Sequence, residues 1–251
     1  MENISDRVRI VLVGTSHPGN IGSAARAMKV MGFHRLYLVA PTAPFPSSRA
    51  TALATSGDDV LQSAVVVDDL LCAIEGCGLV LGTSALQRSL PLPVLDPRSA
   101  AARIAEEVPQ HDVALVFGRE KSGLNKLETD LCHYLVNIPT SQVYHSLNLA
   151  QAVQVLTYEL HLALQSPSAR RVESPERRPE PPERMEIYFE RLEATLRAIG
   201  FLNPVQPKRL MQRLRRLYLR ARPDENELNI LNGILSSTLR AAGGRDERKD
   251  D

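Results

Sequence analysis

A serine and an asparagine, Ser146 and Asn148, stand where a polar loop runs into an amphipathic helix within the stretch 138–160, IPTSQVYHSLNLAQAVQVLTYEL. The start of a helix exposes backbone N–H groups that have no partner inside it. A hydroxyl and an amide at that point either cap the helix or help to hold a polar ligand. Three more polar or glycine-rich loops follow short apolar runs: GTSHPGNIGSAARAMKVMGF, GTSALQRSL and FGREKSGL. In open parallel sheets, loops at the carboxyl ends of the strands are where ligands bind. Only GNIG stands after the first run in place of GxGxxG, so a nicotinamide site of the usual kind is not indicated.

The elements that must hold these loops follow from the apolar pattern. β-Branched and aliphatic runs at 8–13, 36–39, 65–67, 79–81, 113–117 and 134–138 read as strands. Segments 21–31, 70–75, 99–108, 124–131 and 147–164 carry apolar residues at helical spacing, and Gly32 follows the first as a C-cap. Continuously apolar strands alternating with helices predict an α/β fold, a parallel sheet covered on both faces.

The chain has 251 residues, 43% of them hydrophobic, enough for a large core, and no apolar stretch long enough to span a bilayer. Cys72, Cys77 and Cys132 lack paired spacing, which predicts neither a disulfide framework nor a zinc site. With an N-terminus too acidic and too briefly apolar for a signal sequence, the expectation is a cytoplasmic protein that binds no membrane and no metal. His17, His34, His111, His133 and His161 show no ligand spacing and read as surface or satisfied core residues.

The texture changes after Gln165. Residues 166–183 are rich in Pro, Ser and charge and read as a linker between a main domain, 1–165, and a helical extension, 184–251. Met185, Phe189, Leu192, Leu196 and Ile199 form one apolar stripe there. Leu210, Leu214, Leu217 and Ala221 form a second, and Leu228, Leu231, Leu235 and Leu239 a third, opened by Pro223 and a capping box from Asp224 to Glu227. Net charge is only +1, yet 184–222 holds ten Lys or Arg against three acids, a footprint suited to phosphates. Arg209, Arg213, Arg216 and Arg220 form a stripe on the middle helix, which is either a docking face for RNA or a solvated surface.

Three of these segments, NIGSAARAMKVMGF, LVFGREKSGL and IPTSQVYHSLNLAQAVQVLTYEL, resemble in order and spacing the three motifs of the SpoU-type RNA ribose 2′-O-methyltransferases of the SPOUT superfamily. The likeness covers residue 8 to about 164. Within the family it is strongest toward the bacterial branch that methylates the cytidine or uridine ribose at position 32 of the tRNA anticodon loop. That resemblance implies a parallel sheet with a deep C-terminal trefoil knot, where apolar periodicity alone leads to an ordinary doubly wound sheet. It also implies S-adenosyl-L-methionine as cofactor, tRNA as substrate and a homodimer whose subunits share each active site.

Carried over residue by residue, the resemblance assigns Thr83, Ser84, Ala85, Gly118, Ile138, His145, Ser146 and Leu147 to the cofactor, and Asn20, Arg26, Glu120, Ser146 and Asn148 to catalysis. Arginine in general keeps its proton, so the natural part for Arg26 is to grip a phosphate beside the target ribose and stabilise an alkoxide-like oxygen. A salt bridge, for instance to Glu120, is the structural alternative. Gly118 suits a close backbone approach, and Gly123 suits a turn. Arg88 and Arg119 lie near the same loops and serve either RNA phosphate or ordinary salt bridges. An aromatic content of 4% without Trp argues for recognition by shape and backbone more than by stacking. The alternatives to a tRNA methyltransferase are an enzyme of the same chemistry acting on ribosomal RNA and a non-catalytic RNA-binding protein.

Overall fold

The computed structural model describes residues 4–84, 92–141, 146–165, 179–202 and 209–246, with the side chains of 243–246 left aside. Two compact units result, one within Met1–Pro175 and one within Glu176–Asp251. Among the described residues the first unit contains the strands β1 (Val8–Val13), β2 (Arg35–Val39), β3 (Val65–Val67), β4 (Cys77–Thr83), β5 (Val94–Leu95), β6 (Asp112–Phe117) and β7 (Tyr134–Val136). They form one sheet in the order β3-β2-β1-β6-β4-β7-β5, and every described pairing is parallel.

Side chains alternate across that sheet, and helices cover both faces, so all six residues of β1 are buried. Val8, Ile10 and Leu12 join a core with α1 (Pro18–Val30), α2 (Ser48–Ala54), α3 (Asp58–Gln62), α5 (Pro97–Glu107) and α7 (Leu149–Gln165). Val11 and Val13 face the opposite core with α4 (Leu70–Ile74) and the neighbourhood of α6 (Lys126–Asp130). Helix starts are set locally. Asp96 accepts from the N–H groups of Arg98 and Ser99 at 3.0 and 3.1 Å, with Pro97 in the first turn of α5. Gly32 leaves α1 at φ +82°, as a C-cap glycine does.

Two features depart from the periodicity. Helices α2 and α3 were not expected, being short and built largely from small and polar residues. Gly22 explains how α2 docks, because a Cβ there would lie 2.0 Å from the carbonyl oxygen of Ala50, so only glycine lets the two helices approach this closely. Strand β5 is two residues long and carries no period to read.

At the edge of β1, β2 and β6 far from the loops, Asp112 accepts from Arg9 at 2.9 Å and Arg35 at 2.7 Å. Burial pushes the Asp112 carboxyl up, but the two guanidinium groups outweigh it and hold it below the usual carboxylate range.

The second unit contains α8 (Pro182–Ala198), α9 (Leu210–Ala221) and α10 (Glu225–Asp246). Their core gathers Met185, Tyr188, Phe189, Leu192, Leu219, Leu228 and Leu235. The box at Asp224 forms in both directions, with the Glu227 N–H donating to the Asp224 carboxylate at 2.9 Å and the Asp224 N–H to Glu227 at 3.1 Å. Leu217 departs from its expected stripe and is exposed; Met211, Leu214 and Tyr218 pack inward instead, at three- and four-residue spacing. Arg209, Arg213 and Arg220 are exposed and Arg216 is half-buried. Most of the expected linker lies outside the described residues, while Glu180 already belongs to this unit, its N–H donating to the Pro223 carbonyl at 2.8 Å.

Candidate active site

The parallel arrangement brings the carboxyl ends of β1, β6, β4 and β7 to one edge of the sheet, and with them the loops that follow each strand. A cleft opens there. Its floor and walls are apolar, formed by Phe117, Leu124, Val136, Ile138, Leu149 and Ala152. Polar groups of Thr83, Ser84, Glu120, Ser146 and the 118–123 loop line its mouth.

Glu120 is the centre of the polar side. Its carboxylate accepts from the Ser16 N–H at 3.1 Å, the Ser16 hydroxyl at 3.0 Å, the His17 N–H at 3.2 Å and the Asn20 amide at 3.0 Å. These donors surround the N-terminus of α1, whose dipole also favours an anion. Burial raises the Glu120 pKa, but the bonds from Asn20 and Ser16 outweigh it, so the carboxyl sits below its usual range and is ionised at neutral pH.

Asn20 passes the network on. Its side-chain oxygen accepts from the Asn148 amide at 2.9 Å, and Asn148 in turn accepts from the Ala150 N–H at 2.9 Å. The Asn148 N–H donates to Gln151 at 3.3 Å, completing a reciprocal cap on α7. The two readings of this helix start therefore divide between its residues. Asn148 caps the helix and bridges to the first loop, whereas Ser146 is exposed at the cleft and makes no side-chain hydrogen bond among the described residues.

Thr83, Ser84, Gly118, Ile138, Ser146 and Leu147 all line the cleft. Ala85, Arg88 and His145 lie outside the described residues. Gly118 also makes a close backbone approach within the chain, since a Cβ there would fall 2.2 Å from the backbone of Gly123 and Leu124. What it admits so closely is the chain's own turn. Gly123 closes that turn at φ +65°, with backbone bonds to Arg119 in both directions.

Arg26 is exposed on α1 and has no side-chain partner among the described residues, so the salt bridge to Glu120 is not formed. Six residues beyond Asn20 on a helix place it about 240° around and about 9 Å along the axis, away from the Asn20 side. Of the two uses open to Arg119, the structure shows the salt bridge. Its guanidinium grips Glu128 with two bonds of 2.9 Å. Among the described residues no group of three or more His, Cys, Asp or Glu is arranged to hold a metal ion, and no helix is long and apolar enough to cross a membrane. Cys72, Cys77 and Cys132 form no disulfide.

Ser16 and His17 were not singled out as ligands of Glu120. Backbone donors carry no signal in residue type, and the Ser16 hydroxyl looks like any loop serine until the two loops meet.

A sheet of this order, with three motif loops joined by one hydrogen-bond chain, defines a SpoU-type fold. The chain belongs to the SpoU methylase family: residues 7–158 match the profile described as SpoU rRNA Methylase family, and residues 183–247 match the TrmJ tRNA methyltransferase C-terminal domain. Along nearly its whole length it is similar to TrmJ proteins. One, the tRNA (cytidine/uridine-2′-O-)-methyltransferase of Pectobacterium atrosepticum, is 50% identical over 236 residues, which span 92% of this chain and 96% of that protein. Another, the tRNA (cytidine/uridine/adenosine-2′-O-)-methyltransferase of Pseudomonas aeruginosa, is 46% identical over 98% of this chain and 99% of its own. The crystal structure of TrmJ from Z. mobilis ZM4 superposes with a TM-score of 0.79 at 32% identity, covering 91% of this chain and 97% of that one.

Proposed function

We propose that this protein methylates the ribose 2′-oxygen of the cytidine or uridine at position 32 of the tRNA anticodon loop, in the cytoplasm, with S-adenosyl-L-methionine as methyl donor. The observation that carries this reading is the hydrogen-bond chain from Glu120 through Asn20 to Asn148, which unites the three motif loops at the mouth of an apolar cleft. The relatives' names supply the substrate class.

The cleft fits the cofactor. Its apolar walls suit an adenine ring, Thr83, Ser84 and Ile138 line it beside them, and the ionised Glu120 at the rim suits a cation. Bound there, S-adenosyl-L-methionine supplies an electrophilic methyl group on a positively charged sulfur. The chain's own part is to align the ribose oxygen and stabilise its growing negative charge. Ser146, whose side chain makes no hydrogen bond among the described residues, lines the cleft and offers its hydroxyl for that contact. Glu120 is committed to four donor groups and serves to fix the first loop and Asn20.

Arg26 belongs to this reading as a residue donated across a homodimer, where it grips the phosphate beside the target ribose of the other subunit. Its exposure, its lack of a partner among the described residues and its turn away from Asn20 all favour that use. The trefoil knot is part of the same proposal. Strand β7 lies between β4 and β5, which are consecutive in the chain, and Asn137 donates to the Ser84 carbonyl from its side chain at 2.9 Å and to the Leu95 carbonyl from its N–H at 2.9 Å. The arginine-rich second unit is assigned to the body of the tRNA.

The test is transfer of labelled methyl from S-adenosyl-L-methionine to unmodified tRNA transcripts, each paired with a transcript carrying a 2′-deoxyribose at position 32. Cytidine, uridine and adenosine at that position form the panel. Labelling of the blocked transcripts to the same extent would reject the position, and no labelling of any tRNA would reject the activity.

A further inference from the structure

Arg119 precedes Glu120 and points the other way along the loop. Its two N–H donors meet the two oxygens of Glu128, which is itself buried at the third position of α6 and accepts from the Asn125 N–H at 2.7 Å. Asn125 returns the contact by accepting from the Glu128 N–H at 2.9 Å, so the carboxylate that Arg119 grips is rigidly held. On its way the arginine shaft crosses the exit of β1. A Cβ at Gly14, which stands at φ +59°, would lie 2.7 Å from the Arg119 Nε and 2.9 Å from its Cγ. The Gly14 N–H is meanwhile fixed to the Val39 carbonyl at 2.8 Å. Two and three residues on, Ser16 and His17 meet Glu120.

We infer that Arg119 is a positioning residue for the methyl-transfer site: its clamp on Glu128, laid flat across Gly14, sets the height of the 118–123 loop and so the place at which Glu120 meets Ser16, His17 and Asn20. The inference rests on the methyltransferase reading of this site. It takes the place of a phosphate contact as the use of this arginine, because its charge and two of its five N–H donors are already engaged by the Glu128 carboxylate.

The decisive variant is Glu128→Gln in the full-length protein. Glutamine still accepts from the Asn125 N–H, so the cap of α6 survives, but its NH2 group now faces the guanidinium and the clamp opens. A displacement of about 1 Å in an aligned site costs on the order of 100-fold in rate. The expected result, for Glu128→Gln and for Arg119→Gln alike, is a 10- to 100-fold fall in kcat on tRNA with the Kd for tRNA and its salt dependence unchanged. Arg119→Lys, which cannot make two parallel bonds, restores less than half of the loss on a logarithmic scale.

A phosphate role predicts the opposite split: Glu128→Gln stays within threefold of wild type, and Arg119→Gln weakens tRNA binding and lowers the salt slope by about one. That outcome overturns the inference. If wild-type protein transfers no methyl to any tRNA, the enzymatic reading fails by itself. The clamp is then judged by amide hydrogen exchange at Ser16 and His17, which accelerates at least tenfold in Glu128→Gln if the clamp holds the loop and stays at the wild-type rate if it does not.

Discussion

Replacing Asn20 by alanine cuts the only side-chain route, among the described residues, from Glu120 to the start of α7. Two bonds go: the one to the ionised Glu120 at 3.0 Å and the one from Asn148 at 2.9 Å. A hydrogen bond to a charged group contributes about 1.5–3 kcal/mol and a neutral one about 0.5–1.5 kcal/mol. Asn148 is exposed, so water competes for its amide and its share falls at the low end. Together they amount to about 2–4 kcal/mol. If that alignment is felt in the transition state, kcat falls roughly 30- to 1,000-fold. The fold should survive, since Glu120 keeps Ser16 and His17 and Asn148 keeps its cap on α7. The assay is steady-state methyl transfer to tRNA with both substrates saturating, beside a urea unfolding curve. A companion variant, Asn20→Asp, sets a second carboxylate beside Glu120. Lowering the pH from about 7 to 5 should then recover activity relative to wild type, as one of the pair takes up a proton and becomes a donor. Transfer by Asn20→Ala within threefold of wild type, with normal stability, would refute the idea that the three loops act through this bridge.

Arg26→Ala should abolish turnover while the Kd for S-adenosyl-L-methionine, measured by calorimetry, changes less than threefold; retained methylation would remove Arg26 from the reaction. Gly118→Ala must push apart a turn whose backbone lies 2.2 Å from the new Cβ, so its urea midpoint should correspond to a loss of at least about 1–3 kcal/mol, with weaker cofactor binding. An unchanged midpoint would show that the turn yields freely. The folded Asp112 carboxyl is held below its unfolded value, so its contribution is complete above about pH 4 and is lost as the pH falls through the lower folded value. The stability gap between wild type and Asp112→Asn should therefore narrow below pH 4, and a gap constant from pH 7 to 3 would contradict the assignment. Truncation after Gln165 should weaken tRNA binding more than cofactor binding, as read by filter binding and calorimetry. Equal loss of both would mark the second unit as a folding element for the first.

Much of the scaffold was legible in the residues. The run at 8–13 forms β1 over that span because it is continuously apolar and both faces of the sheet are covered. The apolar stripe of 147–164, the glycine after 31 and the box at Asp224 each became the expected helix or cap, since i, i+3 and i, i+4 contacts are local and residue type alone encodes them. The motif likeness also named Asn20, Glu120 and Asn148 together, and the fold joins them in one chain of bonds.

The tertiary structure alone decided how those residues are held. Glu120 finds its partners about a hundred positions earlier in the chain, a pairing no periodicity can encode because it depends on β1 and β6 lying side by side. The same adjacency turned Arg119 toward Glu128 and over Gly14, and left Arg26 pointing to solvent with no partner among the described residues of its own chain. Periodicity reports which face of an element is buried; which loops then meet at the end of the sheet is fixed by strand order, and that is a property of the folded chain.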